Sequence, residues 1–120
     1  MLALATLLCA CSMLPVSVSG PAEELAIACG DDAQCAGYWP RVRLWAEQNS
    51  PYGVRSSTDW IVLGNSPPVI GTGLSYRITR WPAVNGKGKI VFEQSCATLV
   101  PCFPRPATSF AHFNQFVTAP

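Results

Sequence analysis

Six cysteines, seven carboxylates and one histidine are the side chains of this 120-residue chain best suited to chemistry, and their spacing decides what they can do. The cysteines fall into three close pairs, Cys9/Cys11, Cys29/Cys35 and Cys96/Cys102. Thiols so placed oxidise readily once a chain leaves the reducing cytosol, which puts the protein outside the cytoplasm. The second and third pairs enclose five residues each, GDDAQ and ATLVP, and each stands ahead of a predicted helix. Cys29 with Cys35 and Cys96 with Cys102 are therefore expected to close as disulfides that tie each helix start to the segment before it; the two crossed connectivities stay open. A loop this short is worth about 2.4 kcal/mol by chain entropy, so two would be a large part of a small domain's stability of about 5 to 10 kcal/mol. Zinc would want closer cysteines and a histidine partner, and His112 stands alone near the chain end among phenylalanines. Neither a Cys-x-x-Cys motif nor a basic pocket marks a redox thiol, and no cofactor is expected.

Among the carboxylates Glu23, Glu24, Asp31, Asp32, Glu47, Asp59 and Glu93, only Asp59 is placed for a specific role. On an extended strand it shares a face with Ser57 and Ile61, and Arg77 or Arg80 on the neighbouring strand would lie opposite as a cross-strand ion pair. His112 and Ser109 lack an aspartate partner and sit on a terminal helix, so they make no catalytic triad. Gly71-Thr72-Gly73 lies between strands, not at the strand-to-helix turn that cradles phosphate. Trp60 and Trp81 are expected to fill the core; facing away from the helices instead, they would form with Asp59 and Arg77 a binding patch.

The N-terminus supplies the address. Met1 to Ala10, MLALATLLCA, reads as an export signal, and no later stretch reaches the roughly 20 apolar residues that span a bilayer. Leu8-Cys9-Ala10-Cys11 resembles a bacterial lipobox, which implies that Cys11 receives diacylglycerol and becomes the lipidated N-terminus. Ser12 after the anchor, rather than Asp, resembles an outer-membrane address facing the periplasm. A second reading continues the apolar run through Met13 to Ser19 and cuts after Ser19, giving a soluble secreted protein with four cysteines. Residues 1–10 are thus read as signal, 11–28 as a tether and 29–120 as one small disulfide-bonded domain.

The domain should fold, since four Trp, five Phe and three Tyr can fill one core. Charged residues are only 12% with a net charge of +1 and no basic stripe, which argues against nucleic acid. A helix capped by Asp31 or Asp32 carries Cys35, Trp39, Val42 and Ala46 at helical spacing to about Asn49, with Pro40 either kinking it or starting it anew. Val54 to Leu63, Leu74 to Trp81 and Lys89 to Cys96 read as strands, the last two joined by a type I′ turn at Asn85-Gly86. Pro106 opens a C-terminal helix with Phe110, Phe113, Phe116 and Val117 at helical spacing. The expected fold is α+β in the order α-β-β-β-α, a three-stranded antiparallel meander with both helices on one face, burying Trp39, Trp45, Phe110 and Phe113 together.

Cys35, Trp39 and Leu44-Trp45-Ala46-Glu47-Gln48-Asn49-Ser50, then Thr58-Asp59, Tyr76-Arg77-Ile78-Thr79-Arg80-Trp81-Pro82 and the Cys96/Cys102 ending with Phe113-Asn114-Gln115-Phe116-Val117, form a pattern. It resembles small uncharacterised lipoproteins of proteobacteria over about Cys29 to Val117. The resemblance implies a lipoprotein address and an α+β domain, and carries no activity. The expected role is a binding or accessory module in the bacterial envelope and not an enzyme, held to the membrane by its lipid and engaging an envelope protein or glycan. The alternative from a different class is a hydrolase of an envelope polymer using Asp59 with an arginine partner.

Overall fold

The computed structural model describes residues 24–68, 73–96 and 102–120. Asp31 starts the first helix: its carboxylate accepts the Gln34 amide at 2.8 Å, while the Gln34 side chain accepts from Gly30 N at 2.7 Å. These bonds satisfy donors that a helix start otherwise leaves open. From this cap α1 runs Asp32–Asn49 as one uninterrupted helix with Pro40 inside it. Neither the kink nor the restart expected at Pro40 is needed, because Ala36, Pro40 and Leu44 lie on the solvent side. The Ala36 carbonyl that loses its partner to proline can there turn to water. The opposite stripe, Cys35, Trp39, Val42, Trp45 and Ala46, is buried.

The strands are β1 Leu25–Cys29, β2 Val54–Ser57, β3 Ile61–Gly64, β4 Leu74–Val84 and β5 Lys87–Cys96, and the second helix is α2 Pro106–Thr118. They form one antiparallel sheet in the order β1-β5-β4-β3-β2. An 18-residue helix is about 27 Å long, enough for α1 to carry the chain across the roughly 19 Å between the outer strands of a five-stranded sheet. The fold class is thus α+β with an antiparallel sheet and two helices, but the order is β-α-β-β-β-β-α and not α-β-β-β-α.

Two local features account for the extra strands. Leu-Ala-Ile-Ala-Cys is apolar at every position, so its period-2 alternation is hidden; in the sheet Ile27 and Cys29 point to the core while Ala28 is exposed. The segment read as tether up to residue 28 therefore includes an edge strand of the domain. In the stretch read as one strand from Val54 to Leu63, the Thr58 hydroxyl accepts the amides of Trp60 and Ile61 at 3.2 and 3.1 Å. That local bonding folds the backbone into a turn and splits the strand in two.

The β4–β5 hairpin must reconcile two demands. Asn85 and Gly86 take φ of 54° and 80°, the left-handed pair of a two-residue hairpin turn, and set Val84 opposite Lys87. Counting on from there would place Ile78 opposite Glu93 and turn the apolar set of one strand away from the core. A β-bulge between Trp81 and Val84 adds one residue to β4 and brings Ile78 opposite Phe92. Pro82, which has no amide to donate, occupies the bulge, and the freed Ala83 amide donates to Asp32 Oδ1 at 3.1 Å.

Both helices pack on the face formed by Ile27, Val62, Leu74, Tyr76, Ile78, Ile90 and Phe92. Trp45 is the centre: its ring meets Tyr76, Phe92 and Phe113 edge-on at centroid distances of 4.9, 5.7 and 5.1 Å. The two disulfides close as Cys29–Cys35 and Cys96–Cys102, each with Cα atoms 5.4 Å apart. One ties β1 to the first turn of α1 and the other ties β5 to the segment before α2.

Phe113 is fully buried between Trp45 and Phe92, so Phe113→Ala should cost about 3 to 5 kcal/mol in urea unfolding, whereas Phe103→Ala, 86% exposed, should leave the midpoint in place. Burial lifts the Tyr76 phenol above the ordinary value of 10.0, with the Ser109 hydroxyl offsetting part of the rise. The folded state then holds this proton to higher pH than the unfolded chain, so the contribution is complete below pH 10.0 and is lost as pH rises through the folded value. Unfolding of Tyr76→Phe compared with the parent across that range should show a shallower alkaline loss in the variant; identical slopes would refute it.

Candidate functional site

The β2–β3 turn is held against α1, because Trp39 Nε1 donates to the Thr58 carbonyl at 2.8 Å. Asp59 consequently faces the helix and not a neighbouring strand. Its Oδ1 lies 3.8 Å from Arg43 Nη1, and Arg43 Nε donates to Ser57 Oγ at 2.9 Å. The cross-strand pair expected with Arg77 or Arg80 is not formed. Arg77 instead stands 3.7 Å from Glu93, its register partner on β5. Arg80, in step with Tyr76 and Ile78, turns to the helix side, where its guanidinium covers Trp60 at 4.7 Å and Nη2 lies 3.4 Å from the Asp32 carbonyl.

Trp39, Pro40, Arg43, Leu44, Asp59 and Arg80 line a cavity of about 600 Å³ between α1 and this turn. It offers guanidinium and carboxylate groups on an apolar floor, enough for hydrogen bonding to a polar ligand. The Asp59 side chain is 81% exposed, and a pair so open and so long binds its partners weakly.

The other face of the sheet carries neither helix. Along β4, Arg77, Thr79 and Trp81 point there, with Lys89, Val91 and Glu93 on β5 and Ile61 and Leu63 on β3. Val91 is buried yet stands outside the core cluster, as a residue covered by its neighbours on this second face must. Lys89 faces Trp81 in register, with Nζ 5.3 Å from the ring and 3.0 Å from Glu24 Oε1.

The four residues read as one patch therefore divide: Asp59 lines the cavity on the helix side and Trp60 lies under Arg80 on that side, while Trp81 and Arg77 belong to the helix-free face. Trp60 and Trp81 are 51% and 52% exposed and do not fill the core, as was expected of them; Trp39, Trp45, Phe92 and Phe113 already do. Nothing local in the sequence points to Arg43 or Lys89. His112 is engaged structurally, its Nδ1 accepting from Trp45 Nε1 at 3.0 Å. Cys11, Gly71 and Thr72 lie outside the described residues. Among the described residues no three His, Cys, Asp or Glu come together, and no helix is long and apolar enough to cross a membrane.

No family model, curated protein or solved structure matches this chain.

If Asp59 is no more than a solvated partner of Arg43, Asp59→Asn should unfold at the parent's urea midpoint and keep the circular dichroism spectrum unchanged. A clear shift would show that the pair carries more than its geometry implies.

Proposed function

We propose that the chain is an exported lipoprotein of the bacterial envelope, related to the small proteobacterial lipoproteins its sequence resembles, and that it acts by binding and not by catalysis. The signal at residues 1–10 is removed, Cys11 carries the lipid, and the domain faces the periplasm from the outer membrane. Its binding surface is the helix-free face of the sheet, engaging an envelope protein or glycan.

One observation carries the reading. The helix-free face presents Trp81, half in water, with the half-buried Ile61 and Leu63 further along the same face, and exposed apolar surface on a stapled scaffold is what a binding face requires. Two flanking ion pairs, Arg77–Glu93 and Lys89–Glu24, form a polar rim around that apolar centre. The competing hydrolase needs Asp59 in a water-excluding site, and its 81% exposure supports a surface pair instead.

The test joins mass and cross-linking. Intact mass from the native host should show diacylglycerol on Cys11, and a bare N-terminus after Ser19 would replace the anchor with simple secretion. A photo-crosslinking side chain at Thr79, on the helix-free face, should capture envelope components that the same group at Gln48 on α1 does not. Equal capture from both positions would remove the face as the binding surface.

A further inference from the structure

The bulge in β4 does more than restore register. Trp81 and Val84 are three residues apart, and in a regular strand they would point to opposite faces. Because two residues of β4 oppose one of β5 at Pro82–Ala83, Trp81 lies opposite Lys89 and Val84 opposite Lys87. Lys87 and Lys89 are two apart and share the helix-free face, so all four side chains stand together on it. The hairpin end of the sheet thus presents two apolar groups, 52% and 72% exposed, interleaved with two lysines.

The charge in this segment is one-sided. From Trp81 to Lys89 the chain carries Lys87 and Lys89 and no carboxylate. Among the described residues, two acids meet it from neighbouring elements and are already engaged, Asp32 with the Ala83 amide and Glu24 with the Lys89 ammonium. Lys87 is exposed at the tip beside Val84. A convex tip of Trp, Val and Lys on a turn held by two left-handed residues does not enclose a small molecule; it projects. Tryptophan favours the membrane–water boundary, where its ring is dry and its N–H is wet, and lysines beside it are drawn to anionic headgroups.

We propose that the tip of the β4–β5 hairpin, through Trp81, Val84, Lys87 and Lys89, docks on an anionic bilayer surface. This deepens the reading of the helix-free face as a binding surface and names the partner of its hairpin end. The bulge is the device that creates the site, and Asp32, by taking the Ala83 amide, fixes the bulge to the start of α1.

The test uses the full protein purified from its host, with vesicles of brominated phosphatidylcholine and phosphatidylglycerol. Bromines in the acyl chains quench only a tryptophan that reaches them. Emission from the parent and from Trp60→Phe should be quenched, and Trp81→Phe should lose the quenching, since Trp39 and Trp45 are shielded in the core. Vesicle partitioning should fall about five-fold for each of Lys87→Gln and Lys89→Gln, and only when phosphatidylglycerol is present. Intact mass on the same sample separates this proposal from the anchor: a lipidated, membrane-bound protein whose Trp81 is unquenched overturns the docking and leaves the anchor standing, whereas quenching without lipid supports the docking alone. Absence of quenching together with loss of a cross-linked envelope protein in Trp81→Ala would assign the tip to a protein partner and overturn the bilayer. Unchanged urea midpoints verify that the variants fold.

Discussion

A two-residue turn at Asn85-Gly86 pairs even positions of β4 with odd positions of β5, while the core needs Ile78 beside Phe92, even with even. Side chains alternate strictly along a strand, so no small adjustment resolves this; one residue must be added or removed. The structure adds it at Pro82–Ala83, and much of the molecule follows from where it does so. The amide released there is taken by Asp32 at the first turn of α1, which fixes the helix start to the hairpin. Gly88, opposite the bulge, is a close approach: a Cβ there would lie 3.2 Å from the Trp81 carbonyl oxygen and 3.3 Å from Cys35 Sγ, so these neighbours would have to give by a few tenths of an ångström. The bulge, the buried disulfide and the start of α1 thus meet around one glycine.

That junction determines how α1 lies on the sheet, and Trp45 determines what can lie beside it. With Tyr76 and Phe92 below it and Phe113 at its flank, Trp45 fills the volume between the sheet and both helices, and its N–H reaches His112 on α2. The α2 end is held as well by Arg41, which donates to the Val117 and Ala119 carbonyls. A cation at these last carbonyls also answers the negative end of the helix, which has no basic residue in its final turn. Two helices so joined occupy one face of the sheet. The other must be finished by its own side chains, and Val91 is buried there by neighbours in the sheet itself.

How legible this was depends on the range of the signal. The cap at Asp31, the Asn85-Gly86 turn, Pro106 at the start of α2 and the two short disulfide loops are local chemistry, and each is found where its residues predict. β1 was hidden because alanines replace the polar residues that would expose its alternation. Asp59 was misplaced because Thr58 bonds two amides beyond it and makes a turn from residues with strand preference. The bulge was available in principle: the turn and the apolar positions of β4 and β5 disagree by one residue, and a proline sits between them. Arg43, Lys89 and Val84 were not legible, since their significance comes from pairings across the fold that no window of sequence contains.

The two exposed tryptophans show how the same stacking can serve different ends. A cation over a half-exposed ring is worth about 0.5 to 1 kcal/mol, so neither contact alone holds its residue in place. Arg80 on Trp60 has a second contact, Nη2 lying 3.4 Å from the Asp32 carbonyl, while its Nε is buried without a hydrogen-bond partner. Moving it would disturb the β4 backbone that also bonds to Trp60 O at 2.8 Å. Among the described residues Lys89 on Trp81 has the exposed Glu24 carboxylate as its second partner, and both contacts can be exchanged for water or another anion without moving the backbone. The ring on the helix side lies under Arg80, whose backbone amide also bonds to the Trp60 carbonyl. The ring on the helix-free face sits beside a cation that can let go, and this difference in constraint makes that face the more adaptable of the two.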